Sequence, residues 1–513
     1  MTSVDGEKSP LGDVPNADSK SSPADVRKDA ENMEVGEVYC HPTAAEEKAL
    51  LRKIDWRLMP LMITSYFLQF LDKSSLNYAS IMGLITDTGL KGQEYSWLGS
   101  AFYFGYLIAT YPASLGFVKF PLAKYLSASI VIWAIMLGCH GAANNFIELC
   151  ALRVLLGITE STVSPGFSLL TGIWYKPSEH AWRHGIWFLG NGIANTFGSL
   201  LAYGIAHIGG RLQPWRWLFI IFGLITFLWG ILLYFTLPDA PLTARFLTPR
   251  EREIADRRPQ KTQHSFKTNE WTKSQCIEAL IDPKTWLISL IVGVTSITNG
   301  VVSNFGSLII KSFGFGELDT ILLGMPNGGF QIAAVIAATY TASKVRRSRI
   351  IIIIVGYLFA LIGILLVKEL PSSNKYGRLV GCWMMIVFSS AFPLLLSLMA
   401  SNTAGFTKKT TVNAIFFIGY CAGNIGGPQL FKSHEAPNYH TAYNGMIACL
   451  VISIVLAIVL RQYMDWENKR RDREQGIYID PEPRDVEDSD EVDLTVERVV
   501  YTDWENKRFR YYL

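Results

Sequence analysis

Twelve apolar stretches, each long enough to cross a lipid bilayer as a helix, constrain this chain more than any other feature. The hydrocarbon core of a bilayer is about 30 Å thick, and a helix needs about 20 predominantly apolar residues to span it. We predict spans 1 to 12, in chain order, at 56–81, 95–117, 122–140, 147–174, 182–208, 217–237, 285–310, 318–343, 350–367, 377–399, 411–431 and 443–464. The sequence therefore predicts an all-α membrane protein with twelve transmembrane helices.

The composition supports a membrane protein and argues against other classes. Half of the 513 residues are hydrophobic and 18% are charged, whereas a soluble protein carries about 25% charged residues. A net charge of +3 gives no reason to expect nucleic acid as a partner. The seven cysteines are scattered, form no C-x-x-C pair and lie mostly in apolar stretches. We therefore expect neither a disulfide framework nor a metal site.

A charged stretch at 238–283 divides the twelve spans into two sets of six. The flanking segments, 55–237 and 284–464, are almost equal in length, which suggests a duplicated six-helix unit as in secondary transporters. Polar segments at 1–54 and 465–513 precede and follow the two halves. We predict that the first is a disordered tail and that the 238–283 segment is a loop between the halves.

The placement of Lys and Arg predicts how the chain is oriented in the membrane. These residues concentrate just before span 1, in the 238–283 loop and in the loop at 344–349, whereas the loops after spans 1, 3 and 7 hold at most one each. Loops rich in Lys and Arg face the cytoplasm. Both tails and the central loop are therefore predicted to be cytoplasmic.

The C-terminal tail contains a short repeat. The string Asp-Trp-Glu-Asn-Lys-Arg occurs at 465–470 and again at 503–508, on either side of an acidic run at 480–493. One interpretation is a trafficking or docking element. The other is a solvated tail in which the repeat is a coincidence.

Charged residues inside the spans are the strongest candidates for function, because ionisable groups are costly in a bilayer. Span 1 contains Asp72 and Lys73, and span 4 contains Arg153 and Glu160. Asp72 and Arg153 are predicted at similar depth and could form a pair. We predict that Glu160, or Asp72, carries the coupled proton and that Arg153 can hold a carboxylate through two parallel hydrogen bonds. Structural pairing is the alternative for each.

Other candidates are neutral or lie at a span end. In the second half we expect substrate ligands among the amide and phenol side chains of Asn299, Asn327, Asn402, Tyr420 and Asn424. Glu179 and Arg183 lie one helical turn apart before and within span 5, either as a cytoplasmic gate or as a plain surface pair. Small residues recur every four positions in spans 5 and 11, for static packing or for sliding between the halves.

Enzyme motifs are missing from the sequence. It contains no G-x-x-x-x-G-K-[ST], no G-x-S-x-G and no H-E-x-x-H, the motifs of ATP binding, of serine hydrolases and of zinc proteases. We therefore expect no enzymatic activity and no cofactor, with a proton gradient as the energy source.

Longer motifs are distributed from about residue 50 to 470. They include Leu-Asp-Lys-Ser-Ser-Leu-Asn-Tyr-Ala at 71–79, Arg-Val-Leu-Leu-Gly-Ile-Thr-Glu at 153–160, Trp-Arg-Trp at 215–217 and Gly-Asn-Ile-Gly-Gly-Pro-Gln-Leu-Phe at 423–431. Together with the closing Phe-Arg-Tyr-Tyr-Leu at 509–513, they resemble the motifs of the fungal allantoate permease family of the major facilitator superfamily.

This resemblance implies a fold and an activity. The fold would be that of the superfamily, with two six-helix halves, both termini in the cytoplasm and the substrate at the midplane. The activity would be proton symport of a small organic anion, such as allantoate, a ureide or nicotinate, across the plasma membrane. The expected partners are the lipid bilayer, protons and the anion, and we expect a monomer. An exporter of a cluster-made secondary metabolite and a non-transporting nutrient sensor are the alternatives.

The orientation can be tested directly. Epitope tags inserted at residues 5 and 260 should bind antibody in permeabilised cells and not in intact cells, because the flanking Lys and Arg hold both segments in the cytoplasm. Labelling of either tag in intact cells would contradict the predicted topology.

Overall fold

Helices make up almost all of the computed structural model, which describes residues 42–263, 271–435, 438–476, 478 and 502–513. Residues Met1–Ala49 and Leu50–Leu513 separate into two units. Of the first unit, 42–49 are described, and they hold the start of the first helix. The second unit contains the twelve spans. No strand occurs among the residues described.

Each predicted span is covered by one helix or by two consecutive helices. In the first half the helices are Ala44–Ile81, Leu84–Asp87, Glu94–Lys119, Leu122–Cys139, Phe146–Glu160, Val163–Trp174, Pro177–Ala206 and Pro214–Thr236. The central loop holds Pro249–Gln263 and Lys273–Ile281. The second half holds Pro283–Ser312, Glu317–Leu323, Met325–Lys344, Arg349–Glu369, Lys375–Met385, Ala391–Ser401, Phe406–Gly426 and His440–Gln475. Short 3₁₀ turns lie at His140–Ala142, Pro241–Thr243, Ile386–Ser390, Gly427–Leu430 and Ser433–Glu435.

The predicted all-α membrane architecture is confirmed. Within the described residues, seven helical stretches are long and apolar enough to cross a membrane; they correspond to spans 3, 6, 7, 8, 9, 10 and 12. The helices of spans 1, 2, 4, 5 and 11 are not both long and apolar enough. They carry more polar and small residues or, in span 4, are broken into two shorter helices. Such spans are suited to the interior of a bundle.

Spans 4 and 10 are interrupted near their middle and span 8 near its start. Span 4 breaks directly after Glu160, span 8 breaks at Gly324, and the 3₁₀ turn Ile386–Ser390 interrupts span 10. Irregular backbone at membrane depth is tolerated where it is buried in protein or lines a cavity. We therefore expect the three breaks to face protein or a cavity and not lipid.

Local sequence explains where several helices begin. The Asn145 side chain accepts a hydrogen bond from the Glu148 N–H at the start of span 4, and Asp282 accepts one from the Lys284 N–H at the start of span 7. Pro177, Pro214 and Pro283 each occupy the first position of a helix, where a missing N–H costs nothing.

The small-residue stripes pack helices together inside each half. A Cβ placed on Gly423 of span 11 would lie 2.0 Å from the carbonyl oxygen of Gly293 in span 7. In the same way, a Cβ on Gly190 of span 5 would lie 2.6 Å from a backbone nitrogen of span 1, at Phe67. Both stripes thus allow close packing between helices of one half. Sliding between the halves stays the alternative.

A pair of glycines in one helix of the second half offers a direct test. Gly423→Ala should destabilise the protein by about 1–3 kcal/mol, because the added methyl group overpacks the contact with span 7. Gly426→Ala is the matched control, since a Cβ there would meet nothing within 4 Å. Thermal unfolding of the two variants in detergent measures the difference, and equal melting temperatures would contradict the packing.

Candidate functional site

A cavity of about 1130 Å³, part of it open to solvent, lies between the two halves. Spans 1 and 5 line it from the first half, and spans 7, 8, 10 and 11 line most of the opposite side. Much of its wall is formed by amide side chains, which can both donate and accept hydrogen bonds. These amides are Gln69, Asn77, Asn191, Asn195, Asn299, Asn327 and Gln331.

Lys73 is the one charged side chain among the described residues that line this cavity. Its ammonium lies 3.5 Å from the hydroxyl oxygen of Tyr420. It also lies 5.2 Å from the ring centroid of Phe102 and 5.6 Å from that of Tyr103. A cation held over aromatic faces is stabilised without being neutralised, so Lys73 can still attract an anion in the cavity.

Glu160 lies directly behind Lys73. A carboxylate oxygen of Glu160 is 3.6 Å from the Lys73 ammonium, and the exposed fraction is 13% for the Lys73 side chain and 0% for Glu160. Gln69 and Arg153 also act on Glu160, but Lys73 is the cation nearest to its carboxylate in the described structure. The carboxylate therefore depends on Lys73 for its neutralisation, while Lys73 keeps access to the cavity.

Asp72 and Arg153, which were predicted to be able to pair, form no close ion pair, although their charges attract each other at longer range. Asp72 accepts a hydrogen bond of 3.1 Å from the Thr226 hydroxyl in span 6. The Arg153 guanidinium lies 5.7 Å from the Phe219 ring centroid, and no ion pair joins the two residues in the described structure. The reason is helical rotation: adjacent residues on a helix point about 100° apart, so Lys73 and not Asp72 faces the cavity. Arg153 is buried and does not line it either.

The neutral candidates of the second half fall into three groups. Asn299, Asn327 and Tyr420 line the cavity. Asn424 lies behind the wall, where its side-chain oxygen accepts a hydrogen bond of 2.8 Å from Asn299. Asn402 lies at the end of span 10, away from the cavity, and bonds to the backbone of residue 512 instead. Its placement as a substrate ligand is therefore wrong.

Several cavity residues escaped the sequence-based prediction although a pattern marks them. Polar side chains follow one helix face at a spacing of four, as Gln69, Lys73 and Asn77 do in span 1. The same spacing places Asn191, Asn195 and Ser199 on one face of span 5 and Asn327 and Gln331 on one face of span 8. Residues four apart on a helix share a face, so this pattern could have identified the wall.

The charges of Glu179 and Arg183 attract each other, but each residue forms its closest ion pair with another residue. Glu179 forms an ion pair with Arg258 of the central loop, and Arg183 lies 3.0 Å from Asp55 at the start of span 1. The two residues thus tie span 5 to two other elements at the predicted cytoplasmic end. Their role in gating stays a prediction.

Contacts between the halves are present at both ends of the cavity. Toward the predicted outer end, the Asn77 amide donates a 3.0 Å hydrogen bond to Ser307, and the Ser100 hydroxyl donates one of 2.9 Å to the carbonyl of Ile425. Toward the predicted cytoplasmic end, a ring nitrogen of His180 and the Ser401 hydroxyl are 3.4 Å apart.

Comparison with known proteins agrees with this architecture. The family model of the Major Facilitator Superfamily matches residues 62–428. In solved structures, the proton:xylose symporter XylE superposes with a TM-score of 0.62 at 16% identity, over 80% of this chain and 94% of that chain. A bacterial homologue of the human lysosomal transporter Spinster gives a TM-score of 0.53 at 14% identity, over 79% and 95%. These two likenesses show the fold.

Relatives of higher identity narrow the class. The allantoate permease of Saccharomyces cerevisiae is 37% identical over 491 residues, which cover 92% of this chain and 87% of the permease. An uncharacterised transporter of Schizosaccharomyces pombe is 40% identical over 431 residues, with 84% and 82% covered. The chain is a multi-pass integral membrane transporter of the secondary type and not an enzyme. It belongs to the major facilitator superfamily and, within it, to the fungal allantoate permease family.

Proposed function

We propose that this protein imports a small organic anion, of the allantoate, ureide or nicotinate type, together with protons across the plasma membrane. The observation that carries the proposal is the cavity itself, in which amide and hydroxyl groups surround one cation, Lys73. The similarity to the allantoate permease of Saccharomyces cerevisiae supports the same substrate class. The proton gradient supplies the energy, and the protein acts as a monomer.

Lys73 binds the carboxylate of the substrate. An anion that leaves water needs a matched cation and hydrogen bonds to offset its desolvation, and Lys73 is the charge that reaches the cavity. The uncharged part of the substrate then meets groups that both donate and accept hydrogen bonds, such as Asn195 and Gln331, which bond to each other at 2.7 Å. A ureido group has the complementary donors and acceptors. The ring of Phe392, which also lines the cavity, offers a flat apolar surface to a planar substrate group.

Competition for Lys73 couples the substrate to the proton. Glu160 neutralises Lys73 when the cavity is empty. A substrate carboxylate on Lys73 would place two negative charges beside one positive charge in a weakly polar site, where like charges repel strongly. Glu160 therefore takes up a proton when the anion binds and gives it back when the anion leaves. Proton and anion then cross together, as a symporter requires.

Alternating access follows from the contacts at the two ends. Breaking the Asn77–Ser307 and Ser100–Ile425 hydrogen bonds opens the cavity to the outside. Breaking the His180–Ser401 contact opens it to the cytoplasm. Asn77 and Ser307 form two hydrogen bonds, and each hydrogen bond at either end is worth about 0.5–1.5 kcal/mol. The two ends can therefore open in turn.

Substitution of Lys73 tests whether it is the cation that binds the substrate. Lys73→Gln should raise the KM for radiolabelled allantoate or nicotinate by roughly ten- to a hundred-fold, because a charge-assisted contact of about 1.5–3 kcal/mol is lost. Uptake is measured in permease-deleted cells, with surface abundance determined in the same cells. Lys368→Gln, at the far end of span 9, is the control and should leave the KM unchanged.

Two further variants separate binding from folding. Lys73→Gln leaves Glu160 as a buried carboxylate without its cation, so Lys73→Gln/Glu160→Gln should recover surface abundance while the KM stays high. Arg153→Lys should lower the amount of folded protein without changing the KM, since Arg153 does not line the cavity. A KM that responds to Arg153→Lys and not to Lys73→Gln would contradict the proposed anion site.

Substitution of Glu160 tests the coupling. Glu160→Gln fixes the neutral form, so uphill accumulation should be abolished while exchange of labelled for unlabelled substrate continues. The apparent affinity should also lose its dependence on external pH. If uphill uptake keeps its pH dependence in Glu160→Gln, the proton travels elsewhere, and Asp72 becomes the candidate.

A further inference from the structure

Both ends of the segment 502–513 are packed into the protein, while its middle, at 504–508, is largely exposed. Thr502, Asp503 and Tyr511 are almost fully buried, as is the C-terminal Leu513. The interpretation of this segment as a solvated tail is therefore wrong. The segment contacts the predicted cytoplasmic ends of spans 7, 9, 10, 11 and 12, all in the second half.

Two asparagines hold the backbone of the segment. The Asn402 amide donates to the carbonyl of Tyr512 at 3.0 Å and accepts from its N–H at 2.7 Å. The Asn468 amide does the same for Tyr511, at 2.9 and 2.8 Å. A side-chain amide that pairs with both backbone groups of one residue satisfies an extended peptide as a neighbouring strand would. The carbonyl of Leu513 also accepts a hydrogen bond from the backbone N–H of residue 349.

The Asp503 carboxylate enters a buried charged cluster. It lies 2.8 Å from the ammonium of Lys284 and 2.7 Å from that of Lys408. Asp282 also faces both lysines, at 3.2 and 3.3 Å, and Glu278 faces Lys408 at 2.5 Å. Burial alone would raise the pKa of the Asp503 carboxyl, but the two lysines hold that pKa below its ordinary range.

Further contacts bind the aromatic side chain and the backbone carbonyls of the segment. The Tyr511 hydroxyl donates to Asp503 at 3.0 Å, and the Tyr511 ring lies 4.4 Å from the Lys284 ammonium. Arg471 donates to the carbonyls of Asp503 and Phe509 at 2.9 and 3.1 Å. The receptor side thus offers a specific partner to the carboxylate, the aromatic ring and the backbone, which is how a peptide site obtains specificity.

The repeated string takes part on both sides of this contact. Its first copy lies on the helix that extends span 12, and there Asn468 binds the segment. Its second copy supplies Asp503 to the lysines. The two copies therefore have different roles, one as part of the receptor and one as part of the ligand.

We propose that the predicted cytoplasmic end of the second half is a peptide-binding site whose ligand is the chain's own C-terminal segment, residues 502–513. The ligand class is a peptide with turns at 503–508 and with an aspartate eight residues before a pair of tyrosines. The bound segment joins the ends of five spans. It also fixes residue 402, which directly follows the Ser401 that contacts His180 in the other half.

The test cleaves the chain before the segment and measures whether the released segment stays bound to the protein. A protease site is placed between residues 485 and 495 of the full chain, and the purified protein is cleaved in detergent. We expect the released fragment to co-elute with the protein during size-exclusion chromatography. Elution of the fragment as a free peptide immediately after cleavage would overturn the proposal.

Competition with synthetic peptides measures specificity on an unaltered receptor, so no variant has to fold. An excess of peptide 502–513 should displace the cleaved fragment. The same peptide with Asp503→Asn should need at least tenfold more to do so, because it loses the charged contact with Lys284 and Lys408. The peptide with Arg508→Ala is the matched control and should compete like the wild-type sequence, since that side chain is exposed. Equal competition by all three peptides would overturn the proposed recognition of Asp503.

Discussion

The ion pair between Lys73 and Glu160 is the interaction on which the proposed transport cycle depends. A carboxylate and an ammonium buried in a weakly polar interior are each costly when alone, and together they are tolerated. Here one member of the pair reaches the cavity and the other does not. An incoming anion can therefore take over Lys73 only if Glu160 binds a proton, which then neutralises the carboxylate in place of Lys73. In this proposal, proton and anion transport are coupled because Glu160 and the substrate carboxylate compete for the single positive charge of Lys73.

The rest of the bundle positions this pair and keeps the lipid away from it. Glu160 ends a helix at a break in span 4, and close glycine contacts hold neighbouring helices at a fixed distance inside each half. Close contacts also occur between the halves, since a Cβ on Gly328 of span 8 would lie 2.4 Å from the carbonyl oxygen of Gly192 in span 5. Hydrogen bonds join the halves at both ends of the cavity. Hydrogen bonds at the two ends can be exchanged while each six-helix half moves as a unit, which is what a rocking transporter requires.

The C-terminal segment extends the same logic to the predicted cytoplasmic end. Lys284 and Lys408 are buried cations at the ends of spans 7 and 11, and Asp503 helps to neutralise both of them. A chain that buries such charges needs partners for them at all times. A covalently attached ligand fulfils this need, because it cannot diffuse away and its effective concentration is high. The second half is thus completed by residues that lie about forty positions beyond its last span.

The sequence by itself determined the class of the fold. Apolar length predicts the twelve spans and the placement of Lys and Arg predicts their orientation, since the bilayer imposes both rules on any chain. It also identified the charged residues of spans 1 and 4. Tertiary structure decided which of them meet: Lys73 rather than Asp72 faces the cavity, and Asn402 binds the C-terminal segment rather than the substrate. Composition does not encode helix rotation or contacts between distant segments, because packing against the other helices sets both.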